Sequence, residues 1–275
     1  MTIDKQIVLS PQKWAYKISH ILNSVLGEDH FPIKVKEVAK EISKQIYPQE
    51  PITLVKGSDL EGFEGALYQA PKGKKGWGII YNSAIRSKGR INFTLAHEFG
   101  HYLLHRHDFP NGLECSENDL YKWNSAYGKI ENQANTFASN LLMPLDDFRK
   151  RINENEIATI DDLSSCAERY DVSFIASTLR WLSFTLRSEV LVVSRDGFIL
   201  WARSSQTAYK NSYYIKTSGL PPKEVPSNSI AKRAHLLGDN KESIRHSKGV
   251  WFEERCEETS FFSDQYDICI SLISL

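Results

Sequence analysis

Apolar residues along the first thirty positions recur at helical spacing, at Trp14, Ile18, Ile21, Leu22 and Val25, and the run closes at Gly27. A second helix is expected over Val35–Ile42, entered through Phe31-Pro32 with Pro32 near its first turn. From Ile52 to Asn82 the pattern shortens into strand-like runs broken by glycine: Thr53-Leu54-Val55, Gly65-Ala66-Leu67-Tyr68 and Gly78-Ile79-Ile80-Tyr81. Pro71 to Gly76 reads as a turn between the last two. Helical spacing returns from Ile91 to about His105. A polar stretch from His107 to Tyr127 reads as a loop, and another helix covers Ile130 to Met143 and must stop at Pro144. Two more helices are expected at Thr159–Tyr170 and Ser173–Leu186, joined by Tyr170-Asp171-Val172.

After Glu189 the pattern becomes β-like. Val190–Val193 and Phe198–Trp201 flank Asp196-Gly197, a strong hairpin signal. Further strands are expected at Gly249–Glu253 and Tyr266–Leu272. The order predicts an α+β chain: a zincin-like domain over 1–155 with two ligand-bearing helices beside a small twisted sheet, a helix-turn-helix-like pair over 156–188, and a β-rich domain over 189–275.

Composition narrows the class. The chain has 275 residues, 41% hydrophobic and 25% charged, with 34 basic and 34 acidic side chains. Whole-chain disorder and low complexity are excluded, and no fixed-period repeat points to a solenoid. Zero net charge gives no global attraction to nucleic acid or acidic membranes. No apolar run reaches the roughly 20 residues a bilayer span requires, and Met1 to Gln6 lacks the layout of a signal peptide. The four cysteines are scattered, without a Cys-x-x-Cys pair, which favours a reducing cytoplasm.

The chemistry concentrates in Phe93-Thr94-Leu95-Ala96-His97-Glu98-Phe99-Gly100-His101-Tyr102-Leu103-Leu104-His105, whose core is His-Glu-x-x-His. On a helix His97 and His101 stand one turn apart on one face and can converge on a tetrahedral zinc ion. Glu98, rotated about 100° away, can take a proton from a water at that site without binding the metal. Composition alone would produce such a motif about 0.02 times in a chain of this size. A catalytic zinc needs a third protein ligand, and Glu131 supplies it, 30 positions beyond His101 at the start of the helix that carries Ala134, Phe137, Ala138, Leu141 and Leu142. Ala134 and Ala138 would allow close packing on the histidine helix. Asn135, one turn after Glu131, could accept a hydrogen bond from a ligand histidine.

These residues resemble the ImmA/IrrE family of bacterial metallo-endopeptidases. The likeness rests on Arg90–His105, on Glu131–Pro144 and on Pro32-Ile33-Lys34-Val35-Lys36-Glu37-Val38-Ala39, and spans about residues 31 to 145. It implies a zincin-like domain, Zn2+ held by His97, His101 and Glu131, and Glu98 as catalytic base. It also implies a protein substrate, typically a helix-turn-helix repressor whose cleavage switches on stress-response or mobile-element genes. Many members carry an N-terminal repressor-like domain, which is not evident here, and the likeness fades after about residue 187.

Other features carry weaker expectations. His105 continues the one-turn series and either polarises a substrate carbonyl or simply sits at a helix end. Tyr102, Tyr121 and Tyr127 are candidate oxyanion stabilisers, and Cys115 is a conceivable zinc-blocking thiolate but more simply a free cysteine. Arg169, Arg180 and Arg187 could meet phosphates, although Asp161, Asp162 and Glu168 dilute that charge. The rival reading is a DNA- or protein-binding regulator on a peptidase-like scaffold. Trp77–Tyr81 is expected as the sheet edge that receives an extended substrate, with Gly76 and Gly78 permitting close approach. Residues from 189 onward are expected to form a regulatory or substrate-recruiting module.

Overall fold

The structure, a computed structural model, describes residues 9–109, 112–115, 126–238 and 240–275; the side chains of residues 114, 115, 126 and 127 are not described. The chain divides into two compact units. One comprises residues up to Asp147 together with Cys166–Ser173, the other Phe148–Ser165 together with Phe174–Leu275. Among the described residues no helix is long and apolar enough to cross a membrane.

The first unit opens with α1 (Pro11–Leu26). Ser10 caps it by accepting a hydrogen bond from the Lys13 amide, and Pro11 takes the first-turn position where a missing N–H costs nothing. Trp14, Ala15, Ile18 and Leu22 form its buried stripe. α2 (Val35–Ile46) buries Val35, Val38, Ala39 and Ile42 at the same spacing. Pro32 lies just ahead of α2, whose N-cap is Lys34. Strands β1 (Ile52–Ser58), β2 (Gly65–Gln69), β3 (Trp77–Asn82) and β4 (Leu113–Cys115) form a sheet in the order β1-β3-β2-β4. β1 runs parallel to β3, and β2 is antiparallel to both β3 and β4. Between β3 and β4 lies α3 (Lys88–His105), and α4 (Ala126–Leu142) follows.

This topology corrects two expectations. Trp77–Tyr81 is an interior strand, paired on both sides, because the connection after β2 returns the chain between its two predecessors. Gly78 makes room for the ring of Tyr68 opposite it, since a Cβ there would fall 2.5 Å from the Tyr68 hydroxyl oxygen. The glycines thus serve packing within the sheet, not approach of a peptide. The polar stretch after His107 also contains β4, which pairs Leu113 with Leu67 and residue 115 with Gly65.

In the chain after Pro144, α5 (Leu145–Arg151), α6 (Ile160–Tyr170) and α7 (Phe174–Leu182) are followed by the β-rich part of the second unit. There β5 (Glu189–Arg195), β6 (Phe198–Ser204), α8 (Gln206–Lys210), β7 (Lys223–Glu224), a 3-10 helix (Ile230–Leu236), β8 (Lys241–His246), β9 (Cys256–Ser263) and β10 (Ile268–Ser274) build an antiparallel six-stranded sheet ordered β7-β6-β5-β10-β9-β8. The β5–β6 hairpin turns at Asp196 and Gly197, both with positive φ, as a two-residue turn of that composition requires. Gly249–Glu253, expected as a strand, is irregular, and β8 and β9 on either side of it form the ladder instead.

Candidate active site

α3 begins at Ser87, whose hydroxyl accepts from the Arg90 amide, and it is anchored to the sheet through the Arg90–Glu64 ion pair. His97, Glu98, His101 and His105 follow on successive turns of its buried side, none more than 6% exposed. Burial of four such polar groups is costly unless each is matched. Gly100, between the histidines, lets α4 approach closely: a Cβ there would lie 3.0 Å from Phe137 Cδ1 and 3.2 Å from Ala134 Cα. Ala134, Phe137, Ala138, Leu141 and Leu142 are all buried, so the apolar face expected for α4 is the face it buries. α4 starts at Ala126, earlier than the pattern suggested, so Glu131 lies beyond the first turn. The helix dipole does not account for its position.

Packing of α3 on α4 brings Glu131 onto the two histidines. Its Oε2 lies 3.2 Å from His97 Nε2 and its Oε1 3.2 Å from His101 Nε2, while the two Nε2 atoms are 2.9 Å apart. Tetrahedral ligands about 2.0 Å from zinc would stand about 3.3 Å from one another. The three donor atoms therefore already have nearly the spacing that such an ion imposes, and they are the candidate metal-holding group found among the described residues.

The outer faces of the imidazoles are held as well. His97 Nδ1 lies 2.9 Å from Asn135 Oδ1, the contact expected of Asn135. His101 Nδ1 lies 3.0 Å from His105 Nδ1, and His105 Nε2 lies 2.8 Å from Gln133 Oε1. Burial would raise the Glu131 carboxyl, but hydrogen bonds from His101 and His97 and their charge drive it far below the usual carboxylate range. His101 is lowered to about 4, chiefly by burial. For His97 burial acts downward too, yet the Glu131 hydrogen bond and the charges of Glu98 and Glu131 outweigh it and raise the group. Metal ligands must be deprotonated, so a divalent cation bound here would compete with protons for these three groups.

Glu98 is fully buried beside β2. A Cβ on Gly65 would fall 2.8 Å from Glu98 Oε1 and 2.5 Å from Thr94 Cγ2, so only glycine fits there without displacing the carboxylate. The sequence pattern puts Gly65 in a strand without a site role; a glycine inside a strand pattern is the signal that points to a close approach there.

The weaker candidates resolve differently. Tyr102 is fully buried and donates its hydroxyl to the Glu50 carbonyl at 2.7 Å, so that hydroxyl is committed to the protein core. Tyr121 and the side chains of Tyr127 and Cys115 lie outside the described residues. His105 closes the last turn of α3, as the helix-end reading expected, and is buried and bonded to His101 and Gln133, which leaves neither ring nitrogen turned to a substrate carbonyl. Arg169 is held by Asp147 at 2.8 Å and Asp29 at 2.9 Å, Arg187 pairs with Glu189 at 3.2 Å, and Arg180 is buried.

Comparison with known proteins adds to this geometry. Residues 50–182 match the IrrE N-terminal-like domain, a peptidase family. No curated protein matches the chain. Among solved structures, a Mycobacterium tuberculosis transcriptional regulator is similar, with a TM-score of 0.55 and 12% identity over 94% of this chain and 76% of that one. At that identity the likeness is one of fold. The α+β class and the zincin-like domain read from the sequence hold.

Proposed function

The chain belongs, through residues 50–182, to the IrrE N-terminal-like domains of the ImmA/IrrE metallopeptidases, and from that premise we propose that it is a zinc-dependent endopeptidase. The observation that carries the proposal is the convergence of His97 Nε2, His101 Nε2 and Glu131 at separations of 2.9 to 3.2 Å. A two-nitrogen, one-oxygen donor set suits zinc and leaves a fourth position for water. When bound, zinc supplies a Lewis acid and lowers the pKa of water to about 7. His97, His101 and Glu131 hold the ion, and Asn135 fixes the ring of His97. Glu98 accepts a proton from the attacking water and returns it to the leaving amine nitrogen, which is general base and then general acid work. Gly65 keeps β2 clear of that carboxylate.

The family resemblance supports a protein substrate, typically a helix-turn-helix repressor, whose cleavage would act on stress-response transcription in the cytoplasm. Residues 189–275 are then the module that recruits substrate or regulates cleavage. The test is metal analysis of the purified chain beside the His97→Ala, His101→Ala double variant. Wild type should carry one zinc per chain and the variant none; equal metal in both overturns the assignment. A second reading, a regulator on a peptidase-like scaffold, is favoured by the similar fold of the Mycobacterium tuberculosis transcriptional regulator. It predicts that Glu98→Gln leaves the biological output intact.

A further inference from the structure

We propose that His105 and Gln133 act as a positioning pair that holds a proton on His101 Nδ1 and so keeps His101 Nε2 open as a metal donor. The inference rests on the zinc reading above and adds two residues to it.

The argument is one of proton placement along a chain of three side chains. A neutral imidazole carries one N–H. Gln133 Oε1, 2.8 Å from His105 Nε2, can only accept, so that nitrogen carries the hydrogen of His105. His105 Nδ1 is then a lone pair, 3.0 Å from His101 Nδ1. Two bare nitrogens at that distance repel, so His101 Nδ1 must donate. The remaining nitrogen, His101 Nε2, faces Glu131 Oε1 and His97 Nε2 and in this tautomer carries no hydrogen. Reversal of the chain at any link would place a hydrogen on that nitrogen and aim it at the other ligands.

His97 obtains the same result in one step, from Asn135 Oδ1. His101 needs two, because its outward nitrogen meets another imidazole, one turn further along α3. A metal-bound histidine usually donates its second N–H to a carboxylate, a carbonyl or water. An imidazole in that place can either donate or accept, so a second residue is required to decide which. Gln133, on the partner helix, makes that decision. The apolar alternative, that His105 merely fills space beside His101, predicts no dependence on hydrogen-bonding capacity.

The experiment is competitive zinc titration of the full chain against a chromophoric chelator. His105→Phe keeps bulk and removes the acceptor, and it should weaken zinc binding about 10- to 100-fold. His105→Asn places a carbonyl oxygen near the position of Nδ1 and should recover most of that loss. Zinc affinity unchanged in His105→Phe overturns the pairing, as does an Asn variant as weak as the Phe variant. A wild type that binds no zinc overturns the metal reading itself, which separates the two failures. Long-range proton–nitrogen spectra of metal-free wild type need no variant. They should show His105 protonated at Nε2, and protonation at Nδ1 would refute the proposal even if His105→Phe does not fold.

Discussion

Each unit of the chain buries a histidine beside a glutamate, and the two clusters are built to opposite ends. In the second unit Glu258 is fully buried and saturated. Its Oε1 accepts from Ser229 Oγ at 2.8 Å, Ser260 Oγ at 2.9 Å and the Ala231 amide at 3.3 Å. Its Oε2 accepts from His246 Nε2 at 2.7 Å and Trp251 Nε1 at 2.9 Å. Donors from β8, β9, the loop before β9 and the start of the 3-10 helix meet on one carboxylate, and that offsets the cost of burying it. In the first unit the outward nitrogens of His97 and His101 are engaged by Asn135 and His105, and both Nε2 atoms turn toward Glu131. Residue type does not separate a structural cluster from a candidate metal-holding one; the balance of donors and acceptors does.

The sharpest test exchanges chemistry for stability. Glu98→Gln should keep its zinc while peptide turnover falls about 10²- to 10⁴-fold, the usual range for a lost general base. Retained turnover would remove Glu98 from the reaction. Glu258→Ala should do the reverse. It leaves His246 and Trp251 facing an uncompensated gap and should cost about 3–5 kcal/mol in denaturant unfolding, with metal content unchanged. Loss of zinc from that variant would erase the contrast between the clusters.

Gly65→Ala probes a smaller displacement. The added methyl must push Glu98 or Thr94, so turnover should fall about 10- to 100-fold with zinc retained. Normal kinetics would show that β2 relaxes without disturbing the carboxylate. The smallest effect concerns Glu189 in the second unit. Burial raises it to about 7 against partial relief from the Ser274 hydroxyl and Arg187. The native state therefore holds this proton more tightly than the unfolded chain, and stability declines as pH rises from about 4.5 to 7. Glu189→Gln should gain about 1–3 kcal/mol on wild type at pH 8 and little at pH 5. A gain independent of pH would assign the effect to packing.

The first unit was the more legible in sequence because its periodicities are conventional. His97, His101 and Glu131 stand where helix spacing and a ligand count place them, and Asn135 followed from the same arithmetic. What escaped was tertiary. Nothing local reveals that β3 enters between β1 and β2, or that Gln133 reaches His105. In the second unit β9 was missed for a physical reason: its inward positions Cys256, Glu258 and Ser260 are largely polar, while Phe261 points the other way. A strand that buries its polar side inverts the pattern used to find strands. β8, with Lys241, Glu242 and Arg245, lacks an apolar alternation, received no element in the sequence pattern, and is a charged edge strand.

The place of β10 has a kinetic consequence. It pairs with β9 across a short turn, and with β5 through Ser271 opposite Val192. The sheet is thus two locally paired blocks, β7-β6-β5 and β10-β9-β8, built on the β5–β6 and β9–β10 hairpins and stitched along one long-range seam. Hairpins of this kind close in about 1–10 μs, whereas a seam between residues so far apart in the chain must first overcome loop-closure entropy. Folding of this unit should wait on that seam, so substitutions at Val192 or Ser271 should slow refolding, while a change at Gly197 should act mainly on the earlier step.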